Sequence, residues 1–561
     1  SQLAARGQVL TPDGAVPDLG TGLGRDVIAV GASPANRAGS VTFRPASAVP
    51  VPDALRPTPF LFWASAKDKA ALAARITSGK TGGRGKCRIA IVAATEEEFQ
   101  IRKELAQAVL AQGRVPEGEG IQFGEGKAEG ELAFMFTGSA AVYPRMGRGL
   151  LSAFPELRQR LAKLDKAAEI APLLARASLS EFEQLCAGTL LSQAHAILLQ
   201  DILGVKPDAA LGLSLGESNA LFAFGFWRDP GALLDEISDA AMYERHIGGD
   251  FETAKEAWGP NVPADWTNWR VQAPVEAVKA EIAKHDGVEI TIIYSRNDCM
   301  IGGPAEACRQ VCAALGPGSG AKMHQHLIVH AKAMRPFADT WRRLHTRKMH
   351  EGAKVRLYAN AINAAYEPTS ERAADMLTRQ AVDTVDFPPT VEQAWKDGVR
   401  TFVELGPRDT LTSALGNILR DKPYWAIATD RIEAADLSQV AELAAFLFAD
   451  GRAIRMKPVA EALEAARRNR SARPAPWPLT RPVPYAIPVV PPLARVGRMP
   501  VAPALSAIAY PKSRAPAVPE GATRFAPPPP DRPLPAPRKV IVGTEPLLPR
   551  TPTGPNWDYP E

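Results

Sequence analysis

An α/β fold class follows from three features of the 561-residue sequence. Compact apolar runs of strand length alternate with stretches of helical spacing from Pro59 onward. A Gly-x-Ser-x-Gly pentapeptide, Gly212-Leu213-Ser214-Leu215-Gly216, stands between a short apolar run and an apolar helical pattern. Composition breaks beyond about Arg467, and residues 471–561 hold 25 of the 51 prolines. The expected architecture is an α/β-hydrolase-like core with an inserted ferredoxin-like small subdomain. A small α/β linker domain precedes it and a Pro-rich tail follows.

Residues 1–57 are rich in Gly, Pro and Ala, with strand candidates at Asp26–Val30 and Val41–Phe43. They read as the end of a preceding domain or a linker. Residues 58–115 read as the small α/β domain. Phe60–Ala64 and Cys87–Ala93 are strands, and Lys67–Ile76 and Glu96–Leu110 are helices. A polar, Gly-rich loop, Glu117 to Glu131, leads to the main body at 131–435. That body opens on the buried strand Leu132–Phe136 and continues through the long helical pattern Ser178–Ile202 to the strand Ala209–Gly212. Residues 269–329 read as strand, helix, strand, strand, helix, strand: Trp269–Val271, Val275–Lys284, Ile290–Tyr294, Cys299–Gly302, Pro304–Leu315 and His326–Val329. That order predicts the ferredoxin-like insertion. Val355–Tyr358 and Thr401–Pro407 return to the main sheet, and a closing helix fills 436–466. The proline density of 467–561 predicts extended chain, a linker to a next domain rather than a ligand for proline-binding modules.

The net charge is +5, but residues 471–561 carry 11 Lys/Arg against 5 Asp/Glu, which leaves the remainder at −1. A nearly neutral globular part offers nucleic acid no basic face. No run of 18 apolar residues predicts a membrane span. The N-terminus lacks the apolar core of a signal peptide and a starting methionine, as expected of a piece of a longer chain. Cys87, Cys186, Cys299, Cys308 and Cys312 form no disulfide framework, and the Cys308/Cys312 pair lacks the second pair a metal site needs. Free buried thiols in a reducing, cytoplasmic compartment are expected, with no metal.

A strand-to-helix turn sharp enough to push a hydroxyl outward needs glycines two residues to either side. The following helix aims its first free N–H groups at the same point. Ser214 is thus the candidate nucleophile, with the Leu215 N–H as an oxyanion donor. Of eight histidines that could serve as its base, His330 is best placed, at the predicted junction of a strand with a helix. Spacing alone does not single it out.

Four ordered stretches resemble the acyltransferase domains of type I polyketide and fatty acid synthases, nearest to the polyunsaturated-fatty-acid or heterocyst-glycolipid type. Phe136–Ser139 through Tyr143–Gly147 resembles the opening Phe-x-Gly-Gln-Gly-x-Gln-x-x-x-Met-Gly. Gly212–Glu217 resembles Gly-His-Ser-x-Gly-Glu. Val329-His330 with Met334–Pro336 resembles the segment of the catalytic histidine, and Val403–Pro407 the closing Glu-x-Gly-Pro. The likeness spans roughly 130–435, and 58–112 resembles the ketosynthase–acyltransferase linker domain. It implies a ping-pong reaction in which His330 deprotonates Ser214 and Ser214 takes an acyl group from coenzyme A or a carrier protein. The substrates are thus acyl-CoA or phosphopantetheine-linked acyl groups, with no bound cofactor. Partners would be an acyl carrier protein and a neighbouring ketosynthase. Ser139 would supply the second oxyanion donor. Asp386 falls about where the family's histidine-orienting carbonyl comes from, and whether its carboxylate instead completes a triad stays open.

Departures from the family pattern bear on substrate. Leu213 replaces the usual histidine and Ser139 the usual glutamine. Malonyl-specific relatives place an arginine about 25 residues after the serine, where it grips the malonyl carboxylate. Here Asp239 holds that place in the pocket, and Arg228 and Arg245 flank the segment, where a register shift would bring either into it. An acyl group without a free carboxylate is expected. Hydrolytic release of the finished chain by the same site, and a non-catalytic docking domain, are the alternatives.

Overall fold

The computed structural model describes residues 58–471, apart from 117–118, 177, 260–263 and 433, together with 27–32 and 38–43. The Pro-rich tail and most of residues 1–57 lie outside the described residues. Within that stretch, β1 (Val27–Ala32) pairs antiparallel with β2 (Ala38–Phe43).

Residues 58–125 build a three-stranded antiparallel sheet from β3 (Phe60–Ala66), β4 (Cys87–Ala93) and β5 (Ile121–Glu125). Helices Lys69–Thr77 and Glu96–Ala111 pack on it, each capped by a side chain, Asp68 and Thr95, that accepts a first-turn N–H. The sequence predicts that this domain ends at 115 and that 117–131 is a loop. The third strand falls inside that loop. Ile121 is buried there, and Gly124 lets the Ala449 carbonyl come close, where a Cβ would lie 1.8 Å from that oxygen.

The main body centres on a six-stranded sheet in the order β13-β12-β7-β6-β15-β16. Its members are β6 (Glu131–Phe136), β7 (Ala209–Gly212), β12 (Arg356–Ala359), β13 (Ala364–Tyr366), β15 (Val399–Leu405) and β16 (Trp425–Ala428). All neighbours are parallel except the edge pair β12–β13. The central strands are mostly apolar, as burial on both faces requires. Phe134, Phe136 and Phe402 are fully buried in them. Their carboxyl ends, at Phe136, Gly212 and Leu405, point the following loops to one edge. Open α/β sheets bind ligands at that edge.

The inserted block forms a second sheet in the order β11-β8-β10-β9-β14, from β8 (Trp266–Val271), β9 (Glu289–Ser295), β10 (Asp298–Pro304), β11 (Gly320–Lys322) and β14 (Val385–Asp386). The predicted strand–helix–strand–strand–helix–strand sequence is present, with helices Val275–Ile282 and Ala305–Ala314. Its fourth strand is Gly320–Lys322, whereas the reading placed it at His326–Val329. Residues 326–329 are irregular because their N–H groups go to partners outside any ladder. His326 donates to the Glu181 carboxylate (2.7 Å), Leu327 to Asn268 Oδ1 (2.9 Å) and Ile328 to the Ile247 carbonyl (2.7 Å). β14, which pairs parallel with β9, comes from residues far downstream.

The predicted closing helix is two helices, Asp436–Asp450 and Lys457–Ser471. Gly451, in the left-handed region at φ 92°, ends the first. That helix packs against β16 of the main sheet and against β4 and β5 of the small domain, so one apolar cluster joins Ala90 and Val92 to Phe446 and Leu447. Among the described residues, no helix is long and apolar enough to cross a membrane.

Phe446 is buried edge-on to Trp425, with ring centroids 5.7 Å apart. Phe446→Ala is expected to cost about 3–5 kcal/mol of stability, measured as a lower midpoint in chemical denaturation.

Candidate active site

The turn after β7 is dictated by two close approaches. A Cβ on Gly212 would lie 2.1 Å from the Glu217 nitrogen, and one on Gly216 would lie 2.0 Å from the Phe136 carbonyl oxygen. Between them Ser214 takes φ 56° and ψ −122°, a conformation L-residues rarely adopt, and caps the helix Leu215–Ala223. Holding it costs on the order of 1–3 kcal/mol, and buried hydrogen bonds offset that strain. The Asn360 side-chain amide donates to the Gly212 carbonyl (2.6 Å) and to the Glu217 carboxylate (2.7 Å), and the Asn360 N–H donates to the same carboxylate (2.9 Å). Burial pushes Glu217 up to about 7.

His330 sits at φ 62° in irregular chain and is 3% exposed. Its Nδ1–H donates to the Gln380 carbonyl at 2.5 Å, and its N–H to the Ala381 carbonyl at 2.7 Å. Both carbonyls belong to the last turn of helix Ser370–Val382, where the helix leaves acceptors unpaired. Fixing the proton on Nδ1 leaves the Nε2 lone pair to accept from the Ser214 hydroxyl, 2.7 Å away. Burial lowers the imidazole to about 4, so it is neutral at physiological pH and able to act as a base.

The orienting carbonyl is thus Gln380, six residues before the position read from the sequence. Asp386 lies on β14, paired with Ile293 of the second sheet. A helix terminus supplies the carbonyl, so no carboxylate is needed to hold the ring.

Ser214 and His330 are brought together, and Leu215 and Ser139 flank them. Leu215 opens its helix, so its N–H has no intrahelical acceptor. Ser139 opens a short 3-10 turn after β6. The chain there abuts the nucleophile, since a Cβ on Gly138 would lie 3.4 Å from Ser214 Cβ and 3.9 Å from Ser214 Oγ. The main chain that follows β6 therefore runs beside the serine that follows β7. The Ser139 hydroxyl donates to Gln325 Oε1 at 3.2 Å. The sequence reading missed Gln325, which reaches the site from the irregular stretch after β11.

Two clefts meet at Ser214 and His330, each of about 720 Å³ including space open to solvent. The first is mostly apolar and lies among the helices, lined by Leu185, Phe222, Leu233, Ile237, Trp341 and Leu377, and among the described residues no acidic or basic side chain other than histidine lines it. Asp239 is exposed at the end of helix Pro230–Asp239, and Ile237 faces the cleft instead. Arg228 is exposed, as is Arg245, which pairs with Glu252 at 2.6 Å. None of these three predicted pocket residues lines the cleft. Leu213 is buried and borders the second cleft. That cleft is more polar, with Asn268, Arg270, Thr291 and Gln325 along it. Arg270 is spanned by Asp298 through Nε (2.9 Å) and Nη2 (2.7 Å) and lies over the Tyr294 ring, 4.5 Å from its centroid.

No family model matches the sequence. A polyunsaturated fatty acid synthase component of Thraustochytrium sp. is 28% identical over 257 residues, 42% of this chain and 12% of that protein. The polyketide synthase GfsA of Streptomyces halstedii is 26% identical over 337 residues, 56% of this chain and 4% of that protein. The chain thus spans a small part of the curated relatives it matches. The acyltransferase domain from module 8 of the salinomycin polyketide synthase superposes with a TM-score of 0.56 at 16% identity, over 72% of this chain and 99% of that domain. The acyltransferase domain of SpnD, solved with 2-(pent-4-yn-1-yl)malonyl, gives a TM-score of 0.54 at 18% identity, over 72% of this chain and 98% of that domain. The chain is a homologue of polyketide and polyunsaturated-fatty-acid synthases and carries the acyltransferase-domain fold.

Because burial disfavours the imidazolium, the base form of His330 persists well below the ordinary histidine range. Acylation of Ser214 by an activated ester should stay level as pH falls through 6.5 and halve near pH 4. A midpoint near 6.5, read from the pH–rate profile, would contradict that environment.

Proposed function

We propose that this chain is the acyltransferase component of a type I fatty acid or polyketide synthase, working by Ser–His ping-pong catalysis. The 2.7 Å contact between His330 Nε2 and the Ser214 hydroxyl carries the reading. Nε2 takes the Ser214 proton as Oγ attacks the carbonyl carbon of an acyl thioester. The C=O electrons move to oxygen, where the Leu215 and Ser139 N–H groups would hold the oxyanion. Collapse expels the thiolate, which recovers a proton from His330, and leaves acyl-Ser214. The phosphopantetheine thiol of an acyl carrier protein then attacks in the reverse sense and regenerates the hydroxyl.

The polar second cleft suits the pantetheine arm and the first suits the acyl group. Among the described residues no lysine or arginine lines that first cleft, so a malonyl carboxylate would lose its hydration there without a counter-charge. An acyl group free of carboxylate is favoured. A ketosynthase and a carrier protein are the partners this role requires.

A panel of acyl-CoA thioesters tests the proposal by intact-protein mass spectrometry. An acyl adduct on Ser214, passed on to a carrier-protein thiol, is expected. Ser214→Ala should lower adduct formation by about a thousandfold or more without changing the circular dichroism spectrum. Release of the bound acyl group as free acid in the presence of carrier would assign the site to hydrolysis. Absence of an adduct with every thioester would overturn the proposal.

A further inference from the structure

The first cleft is not uniformly apolar. The helix that follows Ser214 turns one face to it, formed by Leu215, Ser218, Asn219 and Phe222 at helical spacing. Asn219 is 1% exposed, and neither its Oδ1 nor its Nδ2 has a hydrogen-bond partner among the described residues. Its own main-chain carbonyl is already used, accepting from Gln193 Nε2 at 3.0 Å. Gln380, 6% exposed, lines the same cleft. Its Nε2 donates to the Ser214 carbonyl at 3.3 Å, and its Oε1 is unpartnered.

Native structures rarely leave a buried amide unpaired, because each unmade bond forfeits the hydration it had in water. Asparagine is also a poor residue for a helix interior. Helix propensity favours alanine or leucine over it there. A polar group of a bound ligand would pair with it. Asn219 lies five residues beyond Ser214, about 7.5 Å along the helix axis, within reach of the first few carbons of an acyl-serine.

We propose that the juxtaposition of Asn219 and Gln380 beside Ser214 selects an acyl group that carries a hydroxyl close to the thioester, with Asn219 as the specificity-determining residue. This rests on the acyltransferase reading of the site. The unpaired groups on the cleft are donors, the Asn219 Nδ2 amide and Trp341 Nε1, and two acceptors, Asn219 Oδ1 and Gln380 Oε1. A hydroxyl both donates and accepts, so it pairs a donor and one of the two acceptors at once. A ketone accepts only and would leave the two acceptors unpaired. A methylene would leave every one of them unpaired.

The test uses N-acetylcysteamine thioesters of butanoate, 3-oxobutanoate and both enantiomers of 3-hydroxybutanoate, with acyl-Ser214 formation followed by intact-protein mass spectrometry. One 3-hydroxybutanoyl enantiomer should acylate the wild-type chain with kcat/KM at least about tenfold above butanoyl, and 3-oxobutanoyl should fall between them. In Asn219→Leu the hydroxy-to-plain ratio should fall to about one. Asn219→Ala provides the same ratio if the leucine variant does not fold, and the wild-type ratio needs no variant. Equal rates for butanoyl and both hydroxy esters in the wild type would overturn the hydroxyl selection while leaving Ser214 as nucleophile. A ratio unchanged in both variants would remove Asn219 from the role. Acylation by none of the four would instead count against the enzymatic reading itself.

Discussion

One hydrogen bond organises the site, that between the Ser214 hydroxyl and the unprotonated nitrogen of His330. It depends on two backbone devices. Ser214 is held at positive φ by a turn in which two glycines admit a carbonyl and an amide nitrogen too close for any Cβ. His330, also at positive φ, is anchored twice to the carbonyl end of a single helix. The negative end of that helix favours a proton on Nδ1, so the tautomer that can accept from serine is selected by main chain alone.

The rest of the main body keeps those devices in register. The loops after β6, β7 and β15 leave the same sheet edge, and buried polar groups tie them down. Glu404 at the end of β15 accepts from the Leu411 and Thr412 N–H groups (2.9 and 2.6 Å), satisfying the first turn of helix Thr410–Ile418. Burial holds its carboxyl up at about 8. The His195 ring, kept neutral by burial, accepts from the Gly406 N–H at 3.1 Å through Nδ1. With the Asn360–Glu217 pair, these bonds replace water at loops that must be buried and still keep one conformation.

The sequence disclosed what leaves a compositional mark. The turn at Ser214 was legible because the glycine spacing coincides with a change from strand to helix pattern. The two helices of the second sheet were legible from their apolar spacing. β5 and β11 were not. Ile121–Glu125 contains a glycine where a neighbouring carbonyl intrudes, and Gly320–Lys322 is a three-residue edge strand without apolar alternation. His330 was one of eight histidines and needed a family resemblance to stand out. Gln380 could not be found in this way, since a backbone carbonyl has the same chemistry whatever side chain it bears. Asn219 was visible as a residue, but its meaning depends on the cleft its helix face lines.

The central claim is that His330 activates Ser214 and no other serine. Labelling with a fluorophosphonate, located by peptide mass spectrometry, tests it directly. A label on Ser214 is predicted, formed at least about a hundredfold more slowly in His330→Ala. Labelling at another serine, or at an undiminished rate in the variant, would contradict it.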